Sequence, residues 1–289
     1  MVSATVDLTT APVEAGCHVL RALPFSTRPG RGPLELDAYR PAGVTGDLPV
    51  VVCLHGGGWR QGSRDSFGPV FDSVEDPFFA RVARAGYVVL SSDYRLSEEA
   101  VFPAQIEDVH AALGWLGRAA AGLRADPGRT VMFGESAGGH LASLTALTAT
   151  VRDSGAPRIV GAVAWYAPSD LTTMGQQARA DAVARASDPG SRESLLLGVA
   201  VDEAGARASA ASPVAHVHAT APPFLLMHGD TDRYVPAAQS EQMHAALSRV
   251  GVDSRLELVP GADHMWRGAA DPDALLTTTL DFIDAVTAG

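Results

Sequence analysis

The sequence predicts an α/β protein with a mostly parallel central sheet of about eight strands and helices on both faces. Three observations support this prediction. Short apolar runs alternate with helix-like stretches along the chain. Most of these runs are apolar at successive positions, as in parallel strands that helices cover on both faces. No repeat or low-complexity linker divides the 289 residues. We therefore expect a single domain over residues 1–289.

Eight apolar runs are predicted to be strands. The first two could form a hairpin, and the eight runs lie near 17–23, 34–40, 49–55, 86–93, 129–134, 159–166, 223–230 and 254–260. Helices are predicted from Pro103, from Pro236 and over 271–287, because apolar residues recur there at spacings of three and four. In such a parallel sheet, catalytic groups gather at the C-terminal ends of the strands.

Residues 170–212 interrupt this alternation. They are rich in alanine and show no strand pattern, so we expect short helices and loops inserted after the strand that ends near Tyr166. The insert could be lid-like and cover a site, or it could be surface decoration. The sequence favours neither interpretation.

Composition excludes several classes of function. The net charge of −11 argues against a nucleic-acid partner, which needs a basic patch. All 22 basic residues are arginine. The absence of lysine excludes Schiff-base enzymes, Walker-type phosphate-binding loops and serine–lysine dyads, since each needs a lysine amine. Cys17 and Cys53 are expected to be buried free thiols. The N-terminal residues do not resemble a signal peptide, and no apolar run reaches the ~18 residues of a membrane span, so a cytoplasmic protein is expected.

A serine stands between two glycines in "GESAG", residues 134–138, which fits the pattern G-x-S-x-G. The pentapeptide alone is a weak signal. Here an apolar run precedes it and a helical pattern begins at Ala137, so Ser136 is predicted to lie at a sharp strand-to-helix turn. That position suits a nucleophile, but a serine hydroxyl reacts only when a base removes its proton.

Among nine histidines, His264 is the best candidate for this base, because it follows the last predicted strand in "VPGADHMW". The base needs an acid that fixes its tautomer and stabilises its positive charge. Asp232, which follows another predicted strand in "HGDTDRYVP", is the preferred acid. Asp230 is the alternative, although we expect it to hydrogen-bond within its own tight turn.

The glycine run "LHGGGW", residues 54–59, follows the first central strand. Consecutive glycines let backbone N–H groups approach a substrate, and a tetrahedral intermediate needs such donors for its negative oxygen. Gly57 and Gly58 are the predicted donors, together with the N–H of Ala137. A plain glycine turn is the alternative if the run is considered by itself. His55 is expected to brace this loop.

These motifs, together with "SDYRLS" and "FPAQIEDVHAALGWL", resemble the carboxylesterase/lipase branch of the α/β-hydrolase fold, in particular hormone-sensitive-lipase-like and BD-FAE-like bacterial esterases. The resemblance runs from about residue 35 to the C-terminus. Its order of nucleophile, acid and base matches Ser136, Asp232 and His264. Only about 48 residues precede the first central strand, which leaves little room for a large N-terminal helical cap.

The resemblance implies hydrolysis of a small-molecule ester through an acyl-enzyme, with no cofactor and no metal. It also implies that Asp93, Tyr94 and Asp108 support the site. An arylformamidase remains an alternative, because kynurenine formamidases share the "HGG-x-W" run that ends at Trp59. A catalytically silent binding protein on the same scaffold is a third hypothesis.

Five large side chains flank the predicted catalytic loops or strand ends and could line the substrate pocket: Trp59, Trp165, Tyr166, Met265 and Trp266. For Trp165, packing in the hydrophobic core is an equally good interpretation. A homodimer could form through the strand near 254–259 or through the last helix, by analogy with other proteins of this fold.

Overall fold

The computed structural model describes residues 6–28, 30–71, 76–149 and 156–288. Within these ranges nine strands form one sheet, in the order β1-β2-β3-β5-β4-β6-β7-β8-β9. The strands are β1 (Val13–Glu14), β2 (Cys17–Arg28), β3 (Arg31–Pro41), β4 (Leu48–Leu54), β5 (Val88–Ser92), β6 (Ala125–Glu135), β7 (Ile159–Trp165), β8 (Phe224–Gly229) and β9 (Ser254–Val259). Pairing is antiparallel from β1 to β5 through β2 and β3, and parallel from β5 to β9.

The α/β prediction is confirmed, and the eight predicted runs correspond to β2–β9. The two-residue β1 is the additional strand. The early hairpin also forms, since β2 and β3 pair antiparallel with Val19 opposite Tyr39. Three bulges or irregularities interrupt this pairing, which allows two long strands to twist and bend around the edge of the sheet.

The described chain contains nine α-helices. They are α1 (Phe78–Arg84), α2 (Ala104–Leu123), α3 (Ala137–Thr148), α4 (Met174–Gln177), α5 (Arg192–Leu197), α6 (Val201–Ala204), α7 (Ala206–Ala210), α8 (Ala238–Arg249) and α9 (Pro272–Thr287). The helices predicted from Pro103, from Pro236 and over 271–287 are α2, α8 and α9. The sequence patterns did not predict α1, which has only seven residues.

The strand β4 shows how helices cover both faces of the sheet. Val50 and Val52 pack in one apolar cluster with residues of α2 and α3. Val51 and Cys53 point the other way and pack in a second cluster with residues of α1 and α9. All four side chains are 1% exposed or less. The continuous apolar run in β4 is therefore explained by burial on both faces.

Other features of the fold bear on the predictions from the sequence. Cys17 and Cys53 are both buried and unpaired, as predicted. Residues 170–212, all of them described, contain α4–α7 and no strand. No helix in the described ranges is both long and apolar enough to cross a bilayer. β9 lies at one edge of the sheet, and pairing of two chains there or through α9 stays a prediction.

The start of α3 lies against the end of β4 with no room for a side chain between them. A Cβ atom placed on Gly138 would lie 2.0 Å from the carbonyl oxygen of Leu54 and 2.5 Å from that of His55. A Cβ atom on Gly134 would lie 2.2 Å from the carbonyl carbon of Gly138. Both glycines of the G-x-S-x-G pattern are thus required by backbone contacts.

His140 connects α3 to two other segments. Its Nδ1 accepts a hydrogen bond from Trp59 Nε1 at 3.3 Å, and its Nε2 lies 2.6 Å from the carbonyl oxygen of Ala211. Since a carbonyl oxygen only accepts, the hydrogen of the neutral ring is on Nε2. The ring is fully buried, and burial lowers the pKa of His140 to about 4 although the bond to Ala211 opposes this shift.

Replacing Gly138 by alanine should strongly destabilise the fold. The new methyl group meets backbone atoms that cannot rotate away, so we expect a loss of about 3 kcal/mol or more in the free energy of unfolding. The matched control is Gly32→Ala, because a Cβ atom there meets nothing within 4 Å. Urea denaturation measures both variants. Equal stability of the two would contradict this account of the turn.

Replacing His140 by glutamine should reduce the sensitivity of the fold to acid. An unfolded histidine titrates near ~6.5, so between that pH and about 4 the unfolded state binds more protons and stability falls as the pH falls. Wild type should lose about 2 kcal/mol more than His140→Gln between about pH 7.5 and about pH 5. Denaturation at both pH values measures this difference. Gly32→Ala, which changes no titratable group, should follow wild type, and parallel curves for wild type and His140→Gln would contradict the prediction.

Candidate active site

Ser136 lies in the turn between β6 and α3, as the sequence predicts. Its φ of +50° is rare for a residue other than glycine and indicates backbone strain. The N–H of Ser136 donates to the carbonyl oxygen of Trp165 at 2.8 Å, which holds the strained turn against β7. The Oγ of Ser136 lies 3.0 Å from Nε2 of His264.

His264 begins a short 3₁₀ turn that follows β9. The side chain of Asp263 caps this turn by accepting the N–H of His264 at 2.8 Å, and it also accepts Arg233 Nε at 2.7 Å. The Nδ1 of His264 lies 2.6 Å from Oδ2 of Asp232. The imidazole is therefore fixed on one side by a carboxylate and presents its other nitrogen to Ser136.

Asp232 is 1% exposed, and hydrogen bonds from protein groups replace the water that its carboxylate would otherwise bind. Its Oδ1 accepts the N–H groups of Tyr234 at 2.8 Å and Val235 at 2.9 Å. Burial alone would raise the pKa of this carboxyl, but hydrogen bonds and charge interactions with His228 and His264 outweigh burial and hold the pKa of Asp232 well below its usual range. Asp232 is therefore a carboxylate at neutral pH.

Asp230, the alternative acid, does not contact His264. Its side chain is exposed, and its Oδ1 accepts the N–H of Gly261 at 2.7 Å. The expectation that Asp230 bonds within its own turn is thus wrong. Asp230 instead joins the loop after β8 to the loop after β9, and so connects the two loops that carry Asp232 and His264.

The glycine loop follows β4 and borders the same cavity as Ser136 and His264. Gly57 and Gly58 have φ values of +103° and +61°, which explains the glycines at these positions. The N–H of Gly56 donates to Oε1 of Glu135 at 3.1 Å. Within the described ranges, the N–H groups of Gly57, Gly58 and Ala137 donate to no acceptor. Ala137 is the first residue of α3, where a backbone N–H has no partner within the helix.

His55 and Tyr94 brace the glycine loop. The two rings stack with centroids 4.3 Å apart, and the hydroxyl of Tyr94 donates to the carbonyl oxygen of His55 at 2.9 Å. The Nδ1 of His55 contacts the carbonyl oxygen of Gly56 at 2.7 Å. Burial lowers the pKa of His55, so this ring is neutral and structural.

Asp93 and Asp108 support the segment around Tyr94. Asp93 accepts the backbone N–H of Arg64 at 2.9 Å and its guanidinium at 2.6 Å. Asp108, on α2, accepts the backbone N–H of Arg95 at 2.9 Å and its Nε at 2.7 Å. Both carboxylates therefore act on the glycine loop only through the segment that carries Tyr94, whose hydroxyl bonds to His55.

Glu135 is a site residue that the sequence analysis missed. It is buried next to Ser136, and its Oε2 accepts the hydroxyl hydrogen of Tyr166 at 2.5 Å while Oε1 holds Gly56. The signal was present in the sequence, because an acidic residue stands directly before the serine of "GESAG" and directly after the apolar run "VMFG". Glu135 links the nucleophile turn to the glycine loop.

A cavity of about 300 Å³ opens above Ser136. Its lining is mixed in charge and comes from the glycine loop, the serine turn, α5 and the loops after β8 and β9: Gly57, Gly58, Arg60, Gln61, Glu135, Ser136, Arg192, Tyr234, His264 and Met265. Of the five large side chains predicted for the pocket, the structure places Met265 in this lining.

The other four large side chains are at most 1% exposed and do not line the cavity, which corrects the prediction. The indole N–H of Trp59 is bound to His140, and that of Trp165 donates to Thr279 Oγ1 at 3.1 Å. Trp266 packs edge-on against Trp165 with ring centroids 5.5 Å apart. Tyr166 is buried and packs edge-on against His264 with ring centroids 4.8 Å apart, and so supports the imidazole.

Comparisons with known proteins agree with this architecture. Carboxylesterase NlhH of Mycobacterium tuberculosis is 41% identical over 133 residues, which are 46% of this chain and 39% of the relative. Esterase LipQ of the same species is 32% identical over 231 residues, which are 77% of this chain and 51% of the relative. A propionate-bound thermophilic esterase of Thermogutta terrifontis matches with a TM-score of 0.68 at 26% identity and covers 93% of both chains.

The chain spans about half or less of the length of these two mycobacterial relatives. The BD-FAE family model matches residues 36–247, which include β4, the glycine loop, Ser136 and Asp232. Because this match covers well over half of the chain and the fold is that of α/β-hydrolase esterases, the protein belongs to the BD-FAE family.

Proposed function

We propose that this protein is a serine carboxylesterase that cleaves a small carboxylic ester through an acyl-enzyme on Ser136. One observation carries the proposal: Ser136, His264 and Asp232 form a continuous hydrogen-bonded chain, with distances of 3.0 and 2.6 Å, and Ser136 and His264 lie on the wall of a cavity. The relatives named above are esterases, which supports ester hydrolysis over other uses of this chain of side chains.

In the proposed mechanism, Nε2 of His264 takes the hydroxyl proton of Ser136 as Oγ attacks the acyl carbonyl carbon. The imidazolium then donates this proton to the departing alcohol, which leaves an acyl-enzyme. His264 next removes a proton from water, and the hydroxide adds to the acyl carbon. The bond between that carbon and Oγ then breaks, and the imidazolium returns its proton to Oγ, which releases the acid and restores Ser136. Asp232 keeps the Nδ1 hydrogen of His264 in place and stabilises the imidazolium. It can do so at neutral pH because the lowered pKa of Asp232 keeps this carboxyl ionised.

The negative oxygen of the intermediate is proposed to bind the N–H groups of Gly57, Gly58 and Ala137. The hydrogen bonds of the glycine loop support this assignment. The N–H of Gly56 already donates to Glu135, whereas Gly57 and Gly58 border the cavity. The N-terminus of α3 adds a favourable dipole at the same place.

The cavity of about 300 Å³ is at the small end of ligand sites and favours a short acyl group. The esterase of Thermogutta terrifontis with bound propionate supports the same size. Several expectations stay predictions from the sequence: a cytoplasmic location, a homodimer, a lid-like insert at 170–212, and independence from nucleic acid, membrane and cofactors.

Replacing Ser136 by alanine should lower kcat/KM for p-nitrophenyl acetate on the order of 10⁴-fold, because the nucleophile is lost. Hydrolysis of p-nitrophenyl esters from acetyl to dodecanoyl measures this, with N-formylkynurenine alongside. Ser143→Ala is the matched control, since its Oγ bonds to Gly139 within α3. Full activity of Ser136→Ala would refute the proposal, and strong serine-dependent deformylation with weak ester turnover would identify a formamidase.

Replacing Glu135 by glutamine should lower kcat for short esters by about tenfold or more, with a much smaller change in KM. The amide loses one acceptor, so Gly56 or Tyr166 is left unpaired and the glycine loop shifts away from the position of the oxyanion. Steady-state kinetics with p-nitrophenyl acetate measures the split. Tyr166→Phe, which leaves the carboxylate on Gly56, should lower kcat less, and the reverse order would contradict the role of Glu135.

A further inference from the structure

Arg192 extends from α5 in the insert to the centre of the candidate site. Its side chain lies directly on the glycine loop, since a Cβ atom on Gly58 would lie 2.2 Å from Cδ of Arg192. Its guanidinium lies over the ring of Tyr234 at 5.1 Å from the centroid. The ring of Tyr234 is in turn 5.4 Å from that of His264. A positive charge is therefore held beside both the proposed oxyanion loop and the base.

Among the described residues, this guanidinium forms no ion pair at contact distance. In the described part of the chain no carboxylate lies within 4.0 Å of it and no hydrogen bond satisfies it. Arg64, in contrast, binds Glu35, Asp37 and Asp93 together at 2.6–3.0 Å. An arginine that only supported the fold would be expected to bind carboxylates, as Arg64 does, or backbone carbonyl oxygens, as Arg40 does.

A second arginine, Arg60, also lines the cavity and is only weakly engaged. Its nearest carboxylate, Glu98, is 3.8 Å away and 70% exposed, so this pair contributes little. Arg60, Arg192 and Tyr234 are shared with an adjoining cavity of about 220 Å³. The cavity above Ser136 therefore continues between two guanidinium groups.

The carboxylates near these arginines are occupied elsewhere. Glu135 holds Gly56 and Tyr166, and Asp232 holds His264. In the adjoining cavity Asp188 accepts the backbone N–H of Arg185. Glu193 is buried there, and desolvation raises its pKa although the charge of Arg192 and a hydrogen bond from Ser191 oppose this shift. None of these carboxylates binds the guanidinium of Arg192 or Arg60 at hydrogen-bond distance, so both guanidinium groups can bind an anion.

We propose that the ester substrate carries a carboxylate, and that Arg192 binds it with help from Arg60. The inference rests on the proposed esterase function and adds its substrate class. The carboxylate is not consumed: water cleaves the ester bond at Ser136 to give an acid and an alcohol, one of which retains the additional carboxylate. A guanidinium suits this role because its planar fork binds both carboxylate oxygens at once. Contacts with Gly58 and Tyr234 hold the side chain in place before the substrate binds, which lowers the entropy cost.

Two matched pairs of esters test the proposal and locate the carboxylate. On the acyl side, mono-4-nitrophenyl adipate is compared with 4-nitrophenyl hexanoate. On the alcohol side, 4-acetoxybenzoate is compared with phenyl acetate. The measured quantity is the ratio of kcat/KM for the anionic ester to that for its neutral partner, after subtraction of the rate with Ser136→Ala.

In wild type we expect a ratio of about ten or more for at least one pair, because a charge-assisted hydrogen bond adds that much. Arg192→Gln should lower this ratio by about 10- to 100-fold, mainly through KM of the anionic ester. Arg192→Lys should retain part of the preference, and added salt should reduce it. Arg249→Gln makes the same change in net charge at an exposed position on α8 and should leave the ratio unchanged.

Neutral esters cleaved in a Ser136-dependent way, with a ratio near one in wild type and in Arg192→Gln, would overturn this proposal and leave the esterase function standing. A ratio that falls equally in Arg249→Gln would also overturn it, because the effect would then come from net charge. Absence of Ser136-dependent cleavage of all four esters would instead refute the esterase function itself.

Discussion

The contact between the start of α3 and the end of β4 is the constraint on which the rest of the site depends. Gly138 lies so close to the carbonyl oxygens of Leu54 and His55 that the serine turn and the glycine loop cannot move independently. Glu135 adds a hydrogen bond from the same turn to Gly56. The nucleophile and the proposed oxyanion donors are thus fixed to one another by backbone contacts, which is the kind of preorganisation that acyl transfer needs.

Much of this arrangement could be predicted from the sequence, because it depends on where strands end. The polar residues Ser136, Asp232 and His264 each follow an apolar run, and a parallel sheet brings such positions to one edge. The glycines were predictable for a related reason: positive φ values and close backbone approach leave few other residues. At all of these positions the local sequence pattern and the requirements of the proposed reaction predict the same residue type.

The pocket lining could not be predicted in the same way. Trp59 and Trp266 flank catalytic loops in the sequence, but a large apolar ring next to a motif has the same pattern whether it faces a ligand or the core. Here the core requires them, since the indole of Trp59 also supplies the hydrogen bond that His140 accepts. Arg192 gave no signal at all, because a short helix in an alanine-rich insert has no period that reveals its inward face.

The insert separates two tasks that the fold must perform. The sheet and its loops supply the proposed chemistry, whereas α5 supplies the charge that is proposed to select the substrate. For this purpose the insert must be held firmly, and several contacts hold it. Leu196 and Leu197 are fully buried in the same apolar cluster as Trp59, and Ser191 caps α5 one residue before Arg192.

The C-terminal part of the insert is tied to the same core from another direction. The carbonyl oxygen of Ala211 binds His140 on α3. Ser212 Oγ accepts the N–H of Leu171 and so joins the two ends of the insert. Both halves of the insert are therefore anchored to the elements that carry Ser136. Opening of the insert as a lid would have to expose these apolar side chains and leave His140 without its buried acceptor. In the arrangement that the structure describes, the packing of α5, and not a carboxylate, positions the guanidinium of Arg192 beside the glycine loop.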